Sequence, residues 1–366
     1  MAQLPIGLDV GTVAVRLLQL GGSERDLRVA NAAKVTIPRE VRTDEARRRE
    51  FITAEVARIL KERRFRTREV VMALSPRHLA VRNIRMPQVE PKDLAGAVDW
   101  EARNKFPFDT TTAVVQYLRA GPVRQGDDVL EEIIVFAAPR AEVEAQIELA
   151  ADVGLTLVSL DAEPCTVFRG FERFLQRRED ESVGTAVADI GAQTTVVIAH
   201  GRDIVFVKTI PIGGAVFTRA VSECLDLEPG EAEALRRRLA AREAAGEADT
   251  HDRAVRAVAD AIRPHLDDLA NEIGLCLRYH GVTFRGPRPE VLEVTGGEAH
   301  HPHVPTALGE RLGMATHVAD PFRRVRTDHL GHVLDRRGVR SEWSTALGLS
   351  LKGFRLVEGL SAHDAA

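Results

Sequence analysis

Apolar and polar positions along the first part of the chain follow a strand rhythm that changes once to a helix rhythm and back. Pro5–Leu20 predicts two strands joined at Gly11, and Leu27–Ile37 a third. Asp44–Arg64 then spaces Phe51, Val56, Ile59 and Leu60 along one helical face, and Glu69–Leu74 returns as a strand. The same order begins again in the middle of the chain. Thr185–Ile190, Thr194–His200 and Ile204–Pro211 predict a second meander, with a turn at Gly201-Arg202-Asp203. Gly213-Gly214 opens a helix, Glu228–Leu239 forms another with a densely charged face, and Ala240–Asp249 reads as a small polar loop. A long helix follows over His251–His280 with Pro264 as a kink, then a buried strand, Val291–Thr295, and a closing helix, Ser341–Lys352. A repeat this long is an internal duplication and not a solenoid.

Between the two meanders the pattern differs. Leu79–Met86 is strand-like, a helix runs from Pro91 to about Lys105, and Phe106-Pro107-Phe108 breaks it. Ala113–Arg119 and Leu130–Ala138 predict two strands flanking a Gly/Pro/Asp loop at Gly121–Asp128, and a helix over Arg140–Val153 leads into Leu155–Leu160. The predicted organisation is therefore a first half at 1–75, an inserted α+β module at 76–157 and a connecting helical region at 158–184. A second half follows at 185–353, with a helical subdomain at 213–285, and then a tail at 354–366. Length agrees: 366 residues exceed one ordinary core.

Composition narrows the function classes. Apolar residues make up 44% and charged residues 28%, as in soluble globular proteins. A net charge of −4 gives no electrostatic reason for a nucleic-acid partner. No secretory signal and no apolar run of the ~20 residues needed to span a bilayer is expected, so membrane contact would pass through a partner. The 3 cysteines, Cys165, Cys224 and Cys276, are far apart and lack metal-ligand spacing, which suggests reduced, buried thiols in a cytoplasmic protein.

Two short segments carry the candidate chemistry. Asp9-Val10-Gly11-Thr12 and Asp189-Ile190-Gly191-Ala192-Gln193-Thr194 each end an apolar strand in Asp-hydrophobic-Gly. Glycine lets backbone N–H groups face an anion at close range, and the aspartate would hold a metal ion or water on it. Either turn alone reads as a tight hairpin with its aspartate bonded to its own loop. Together they predict a grip on a polyphosphate and its Mg²⁺. Arg16 would reach a phosphate, or sit as an exposed strand residue. Gly296-Gly297, after an apolar strand, leaves room for a flat ring or serves as a positive-φ turn. Glu233 and Arg236, three apart on a helix, would grip ribose hydroxyls or pair on the surface. Glu163, in Asp161-Ala162-Glu163-Pro164, would orient a water or cap a helix. His300-His301-Pro302-His303 lacks ligand spacing for zinc and reads as a solvated loop. Trp100, Phe106 and Phe108 read as the module's core, with Phe-Pro-Phe as a candidate partner contact.

In this order, these residues resemble the actin-like ATPase superfamily and, within it, the PilM-like family of type IV pilus assembly proteins near FtsA. The narrower resemblance rests on Leu8-Asp9-Val10-Gly11 with Arg16, on Met86-Pro87 to Trp100-Glu101 and Phe106-Pro107, on Asp189-Ile190-Gly191 to Pro211-Ile212-Gly213-Gly214, and on Ala346-Leu347-Gly348-Leu349. It implies an α/β fold of duplicated actin-like (ribonuclease H-like) halves around a nucleotide cleft, with a small α+β subdomain inserted in the first half. It implies ATP and Mg²⁺ as cofactors. Asp9, Gly11, Thr12 and Arg16 would form the first phosphate loop, and Asp189, Gly191, Gln193 and Thr194 the second. Gly213, Gly214, Gly296 and Gly297 would contact the nucleotide, Glu233 and Arg236 the ribose. Asp9 and Asp189 would hold Mg²⁺ through water, and Glu163 would orient a water. The implied role is a cytoplasmic assembly factor, peripheral to the inner membrane, that docks the N-terminal cytoplasmic peptide of a PilN-like membrane protein. Other inner-membrane pilus components and self-association into a homo-oligomer belong to the same implication. Arg16 and Arg236 stand where relatives carry lysine, and their bulkier planar forks would shift the phosphate and ribose contacts. Ala192 replaces a glycine of ready hydrolysers, which favours nucleotide binding over fast turnover. The alternatives are an FtsA-like filament protein, a type II secretion scaffold resembling GspL and, further off, a sugar kinase.

Overall fold

The computed structural model describes residues 3–175, 178–247, 252–284, 286–301, 303–327 and 340–363. His251, residues 248–249 of the predicted polar loop, Pro302 and residues 364–366 of the tail lie outside them. In chain order the elements begin with β1 (Gln3–Val10), β2 (Ala14–Ser23), β3 (Asp26–Thr36), α1 (Glu45–Glu62), β4 (Glu69–Leu74), β5 (Ala80–Pro87) and α2 (Pro91–Ala102). There follow β6 (Ala113–Gln125), β7 (Asp128–Pro139), α3 (Arg140–Asp152), β8 (Thr156–Ala162) and α4 (Glu163–Glu172). The second meander is β9 (Gly184–Ile190), β10 (Thr194–His200) and β11 (Asp203–Ile210), followed by α5 (Gly214–Leu225), α6 (Pro229–Ala244) and α7 (Arg253–Thr283). The chain closes with β12 (Val291–Thr295), α8 (Val304–Leu312), β13 (Ala315–Val318), β14 (Val325–Arg326) and α9 (Ser344–His363).

Contacts divide the chain into two compact units, one of residues 1–75, 144–171 and 320–366, the other of 76–143 and 172–319. The first unit holds a sheet in the order β14-β3-β2-β1-β4-β8. Its meander is antiparallel, whereas β1, β4 and β8 run parallel. Parallel strands are buried on both faces, and β1 shows it: Leu4, Ile6 and Leu8 are all in the core. On one face Ile52, Val56, Ile59 and Leu60 of α1 and Leu149 and Ala150 of α3 pack on Ile6, Leu8, Val15 and Met72. Asp44 caps α1 by accepting from the Arg47 N–H at 3.1 Å. On the other face Ala346, Leu347 and Leu351 of α9 pack on Leu4, Leu18 and Leu20. A Cβ on Gly7 would strike the Ala346 carbonyl, and one on Gly348 the Thr166 carbonyl, so these glycines set how closely α9 approaches β1 and α4.

The second unit repeats the plan in a five-stranded sheet, β11-β10-β9-β12-β13. Again three antiparallel strands are followed by parallel ones. The buried stripe of α7 runs through Val255, Val258, Ile262, Leu266, Leu269 and Ile273.

Residues 76–143 interrupt the first half in sequence but pack with the second. Their sheet, β5-β7-β6, has α2 on one face through Leu94, Val98 and Ala102. From the other face Asn83 donates to the Val207 carbonyl at 2.8 Å, and Arg85 bonds Thr283 at 2.8 Å and Tyr279 at 3.1 Å. The predicted module end at Leu157 falls inside β8, which pairs with β4, so α3 and β8 serve the first sheet. The predicted loop Gly121–Asp128 is instead a continuation of the β6–β7 hairpin, paired up to Gln125 and Asp128 through an irregularity between Arg119 and Gly121. Pro122 is tolerated there because β6 is an edge strand. Trp100 is 67% exposed and not core, with the Arg103 guanidinium 5.2 Å from its ring centre, while Phe106 does pack against the α2 core. The last helix runs on to His363, through what composition marks as a tail, and α6 extends to Ala244.

Candidate nucleotide site

In both units the predicted residues gather where parallel strands end. In the first unit β1 carries Asp9 to its C-terminal end, Gly11 and Thr12 follow, and β8 delivers Asp161 to Glu163 at the same end of the sheet. Ligands of open α/β sheets bind outside such carboxyl ends. The turn closes through a bond from the Gly11 N–H to the Ala14 carbonyl, 3.1 Å, and Arg48 of α1 donates to the Gly11 carbonyl at 3.0 Å.

Register places Asp9 opposite Arg16, and Arg16 opposite Lys34. Arg16 is neither solvent-exposed nor idle. It donates to Asp9 at 3.1 Å and to Glu342, just ahead of α9, at 2.8 Å, and Lys34 also binds Glu342 at 2.6 Å. Burial raises the Asp9 carboxyl above its usual value, and Arg16 offsets only part of that rise. Burial acts upward on Glu342 too, but there the charges of Arg16 and Lys34 prevail and hold it low. Sequence reasoning missed Glu342; only the unbalanced row of one carboxylate and two cations across three strands hints at it.

Glu163 starts α4, where a helix N-terminus favours a carboxylate. Its neighbour Asp161 is committed to structure, bound to Arg169 at 2.6 Å and Lys352 at 3.3 Å. Burial would raise the Asp161 carboxyl, yet Arg169 and Lys352 outweigh it and lower it.

In the second unit Asp189 is at the end of β9, opposite Thr195 of β10 and Thr295 of β12. The Gly191 N–H donates to the Gln193 carbonyl at 2.9 Å, one residue sooner than in the first turn. Gly214, the first residue of α5, donates to the Gly191 carbonyl at 2.8 Å, and the Thr194 hydroxyl to the Ile212 carbonyl at 2.6 Å. Gly296 has φ 92° and lies against Asp189: a Cβ would strike its carboxylate and the Ile190 carbonyl. Gly297 faces open space, with nothing within 4 Å of a Cβ. Asp189, Gly191, Gly213, Gly214, Gly296 and Gly297 are thus one cluster.

Glu233 and Arg236 divide. Arg236 is buried at 2% exposure, donating to the Gly214 carbonyl at 3.1 Å and to Thr218 at 2.8 Å, and pairing with Glu298. It braces α5 against the Gly296 loop. Glu233 pairs instead with Arg237, 2.7 Å away. Glu298 was also missed, though it directly follows the double glycine. His301 is buried, unlike a residue of a solvated loop. Of the three thiols expected in the interior Cys276 alone is buried; Cys165 is half-buried and Cys224, near the end of α5, is exposed. Among the described residues no three His, Cys, Asp or Glu come together as a metal cage. Mg²⁺ does not require one, since it keeps several waters and takes ligands from phosphate.

The chain matches the family of the type IV pilus assembly protein PilM over residues 7–354. It belongs to that family. Its fold is similar to a solved PilM-PilN type IV pilus biogenesis complex, with TM-score 0.77 and 26% identity, covering 95% of this chain and 98% of that one. The ethanolamine utilization protein EutJ from Carboxydothermus hydrogenoformans is similar at TM-score 0.56 and 15% identity, covering 96% and 90%. MreB 5 of Spiroplasma citri bound to AMPPNP is similar at TM-score 0.50 and 12% identity, covering 98% of each. At those identities the last two show the fold alone, an actin-like mixed α/β architecture. No curated protein sequence matches the chain. Among the described residues no helix is long and apolar enough to cross a membrane. Membership of the family makes this a type IV pilus assembly protein.

Proposed function

We propose that this PilM-family chain is a nucleotide-responsive assembly factor that binds Mg²⁺-ATP and docks the N-terminal cytoplasmic peptide of a PilN-like membrane protein. The observation that carries the nucleotide part is the recurrence of one arrangement. Each unit ends the first strand of its meander in Asp-x-Gly at the carboxyl edge of parallel strands, and the second adds Gly297 with open space above it. In the first unit Gly11 and Thr12 would meet phosphate, and Asp9 would hold Mg²⁺ through water. In the second Gly191 and Gln193 would meet phosphate, Asp189 would hold Mg²⁺ through water, and the base would approach at Gly297. Bound there, the ion would screen the phosphate charge.

Turnover would be slow, since Ala192 stands where ready hydrolysers carry glycine. Glu163, at the start of α4, would orient a water. The partner part rests on the similar fold having been solved as a PilM-PilN complex. Nucleotide and peptide would be linked by population shift, each favouring the same conformational state.

The test is titration with Mg²⁺-ATP, followed by capture on a PilN-like N-terminal peptide with and without nucleotide. Asp189→Ala should weaken Mg²⁺-ATP at least tenfold, roughly 1.4 kcal/mol, with the thermal midpoint little changed. Gly297→Ala should weaken it while leaving the fold intact. Wild-type affinity in both variants would remove the two-turn argument; peptide capture blind to nucleotide would remove the coupling.

A further inference from the structure

The cross-strand row of the first unit has a charge problem that the meander cannot solve alone. Asp9, Arg16 and Lys34 are neighbours on β1, β2 and β3. Two cations directly opposite each other repel, and one carboxylate cannot balance both. Glu342, 326 residues from Arg16 and 308 from Lys34, supplies the second negative charge. Its side chain is 11% exposed, against 12% for Arg16 and 10% for Asp9, so little water screens these contacts. Arg16 thereby divides its two terminal nitrogens between two carboxylates, Nη1 to Asp9 and Nη2 to Glu342.

We propose that Glu342 is a positioning residue of the first turn, holding Arg16 in a charge-balanced latch that a phosphate group must compete with. This rests on the nucleotide reading above. Two carboxylates and two cations leave the cluster neutral without a ligand. A phosphate entering at Gly11 gains Arg16 only to the extent that Glu342 releases it, and Lys34 decides how readily Glu342 does so. With Lys34 in place Glu342 keeps a partner after Arg16 swings away; without it, Glu342 is left buried and unpaired, which is costly.

The two ends of the latch should therefore shift affinity in opposite directions. Glu342→Gln, which keeps the shape and removes the charge, should bind Mg²⁺-ATP roughly tenfold tighter, with a steeper loss of affinity as salt rises. Lys34→Met should bind it roughly threefold weaker. A merely structural role would lower the thermal midpoint in both and move affinity in one direction or not at all. Tighter binding in Glu342→Gln and weaker binding in Lys34→Met support the latch. Unchanged or reduced affinity in a folded Glu342→Gln chain overturns it while leaving the nucleotide reading standing. If Glu342→Gln does not fold, Lys34→Met decides: unchanged or tighter binding overturns the latch. If neither the wild type nor Glu342→Gln binds Mg²⁺-ATP, reading and latch fall together. Binding by Glu342→Gln alone supports both.

Discussion

In the first unit Asp9 stands in a row with Arg16 and Lys34, and in the second the corresponding row is Asp189, Thr195 and Thr209. The backbone plan is shared, three antiparallel strands and then parallel neighbours, but the forces that hold the two turns are not. The first is held by charge: Arg16, Lys34 and Glu342 around Asp9, and Arg48 on the Gly11 carbonyl. The second is held by close packing of backbone, with α5 bonded to Gly191, Glu298 N–H donating to the Ile190 carbonyl, and Gly296 pressed on Asp189. A duplicated topology thus preserves where a phosphate turn sits without preserving how it is held. The first turn should therefore answer to the loss of a charge, and the second should break by gaining an atom.

The largest effect is expected from gaining an atom. Gly296→Ala puts a Cβ at φ 92° into the Asp189 carboxylate and the Ile190 carbonyl, neither of which can yield cheaply. A loss of about 4 kcal/mol or more in denaturant unfolding is expected. Gly297→Ala next door meets open space and should cost about 1 kcal/mol or less. Equal costs at the two positions would contradict the division of labour between brace and ligand face.

How far this was legible in the sequence varied with the range of the interaction. The two meanders, the helix over 45–62 and the strand Val291–Thr295 follow from local periodicity, because a half-buried strand or helix writes its burial into neighbouring residues. So do the two Asp-x-Gly turns. Nothing local marks α8 or β13, of nine and four residues, which are too short to show a period. Glu342 and Glu298 find their cations 326 and 62 residues away, beyond any local pattern. Arg236 was legible as important but not as what it is. A helical arginine beside a nucleotide motif reads as a ligand contact, and only its burial under α5 shows it to be a brace. The packing of residues 76–143 with the second unit was likewise hidden, since it depends on which face of the β5-β7-β6 sheet Asn83, Arg85 and Glu132 occupy.

Next in size is the brace itself. Arg236→Met keeps most of the apolar stem but removes the guanidinium, which lies over the Phe217 ring and donates to Gly214, Thr218 and Glu298. The carbonyl and hydroxyl stay buried, while Glu298, 20% exposed, can turn toward water. A loss of about 3 kcal/mol is expected, less than for a fully buried orphaned charge. If the brace matters to the site, affinity for Mg²⁺-ATP should fall with it; a purely peripheral role would lower stability alone.

Acid should separate the two units. His280 of α7 and His200 of β10 share a hydrogen bond between their Nε2 atoms at 2.6 Å. Burial, with His200 and Arg288 nearby, lowers His280 from 6.5 to about 4, and burial lowers His200 as well. The unfolded chain therefore binds these protons first. The stability involved is complete above pH 6.5 and lost as pH falls toward 4. Glu342 is an acid held below its ordinary 4.5, so its contribution survives until pH falls below that value and is lost through the lowered folded one. Asp9, raised by burial, opposes this loss in the first unit. Between pH 6.5 and 4.5 the loss falls on the second unit, roughly 2 kcal/mol. His280→Gln should flatten thermal midpoint against pH over that interval, and a slope as steep as the wild type's would place the acid sensitivity elsewhere.

The smallest effect tests whether charge matters everywhere in the first unit or only near its turn. Arg326 pairs with Asp26 at 2.7 Å where β14 joins the edge of the sheet, as clean in geometry as the contact of Arg16 with Glu342. The difference is water. Arg326 and Asp26 are 53% and 58% exposed, whereas Arg16 and Glu342 are near one tenth. Solvent and salt screen the outer pair, and holding two long side chains together costs entropy that offsets the attraction. Arg326→Ala should therefore shift stability by less than about 0.5 kcal/mol and leave Mg²⁺-ATP binding untouched, in low salt and high. A loss approaching that of Arg236→Met would mean that β14 is held by this pair rather than by its short ladder with Leu27 and Arg28 and the Val325 contact with the α9 core. Removing Val325 instead, as Val325→Ala, should cost more than removing the ion pair, about 1 kcal/mol, since apolar burial is not screened. That ordering, packing above exposed charge and buried charge above both, is what the contrast between the two turns requires.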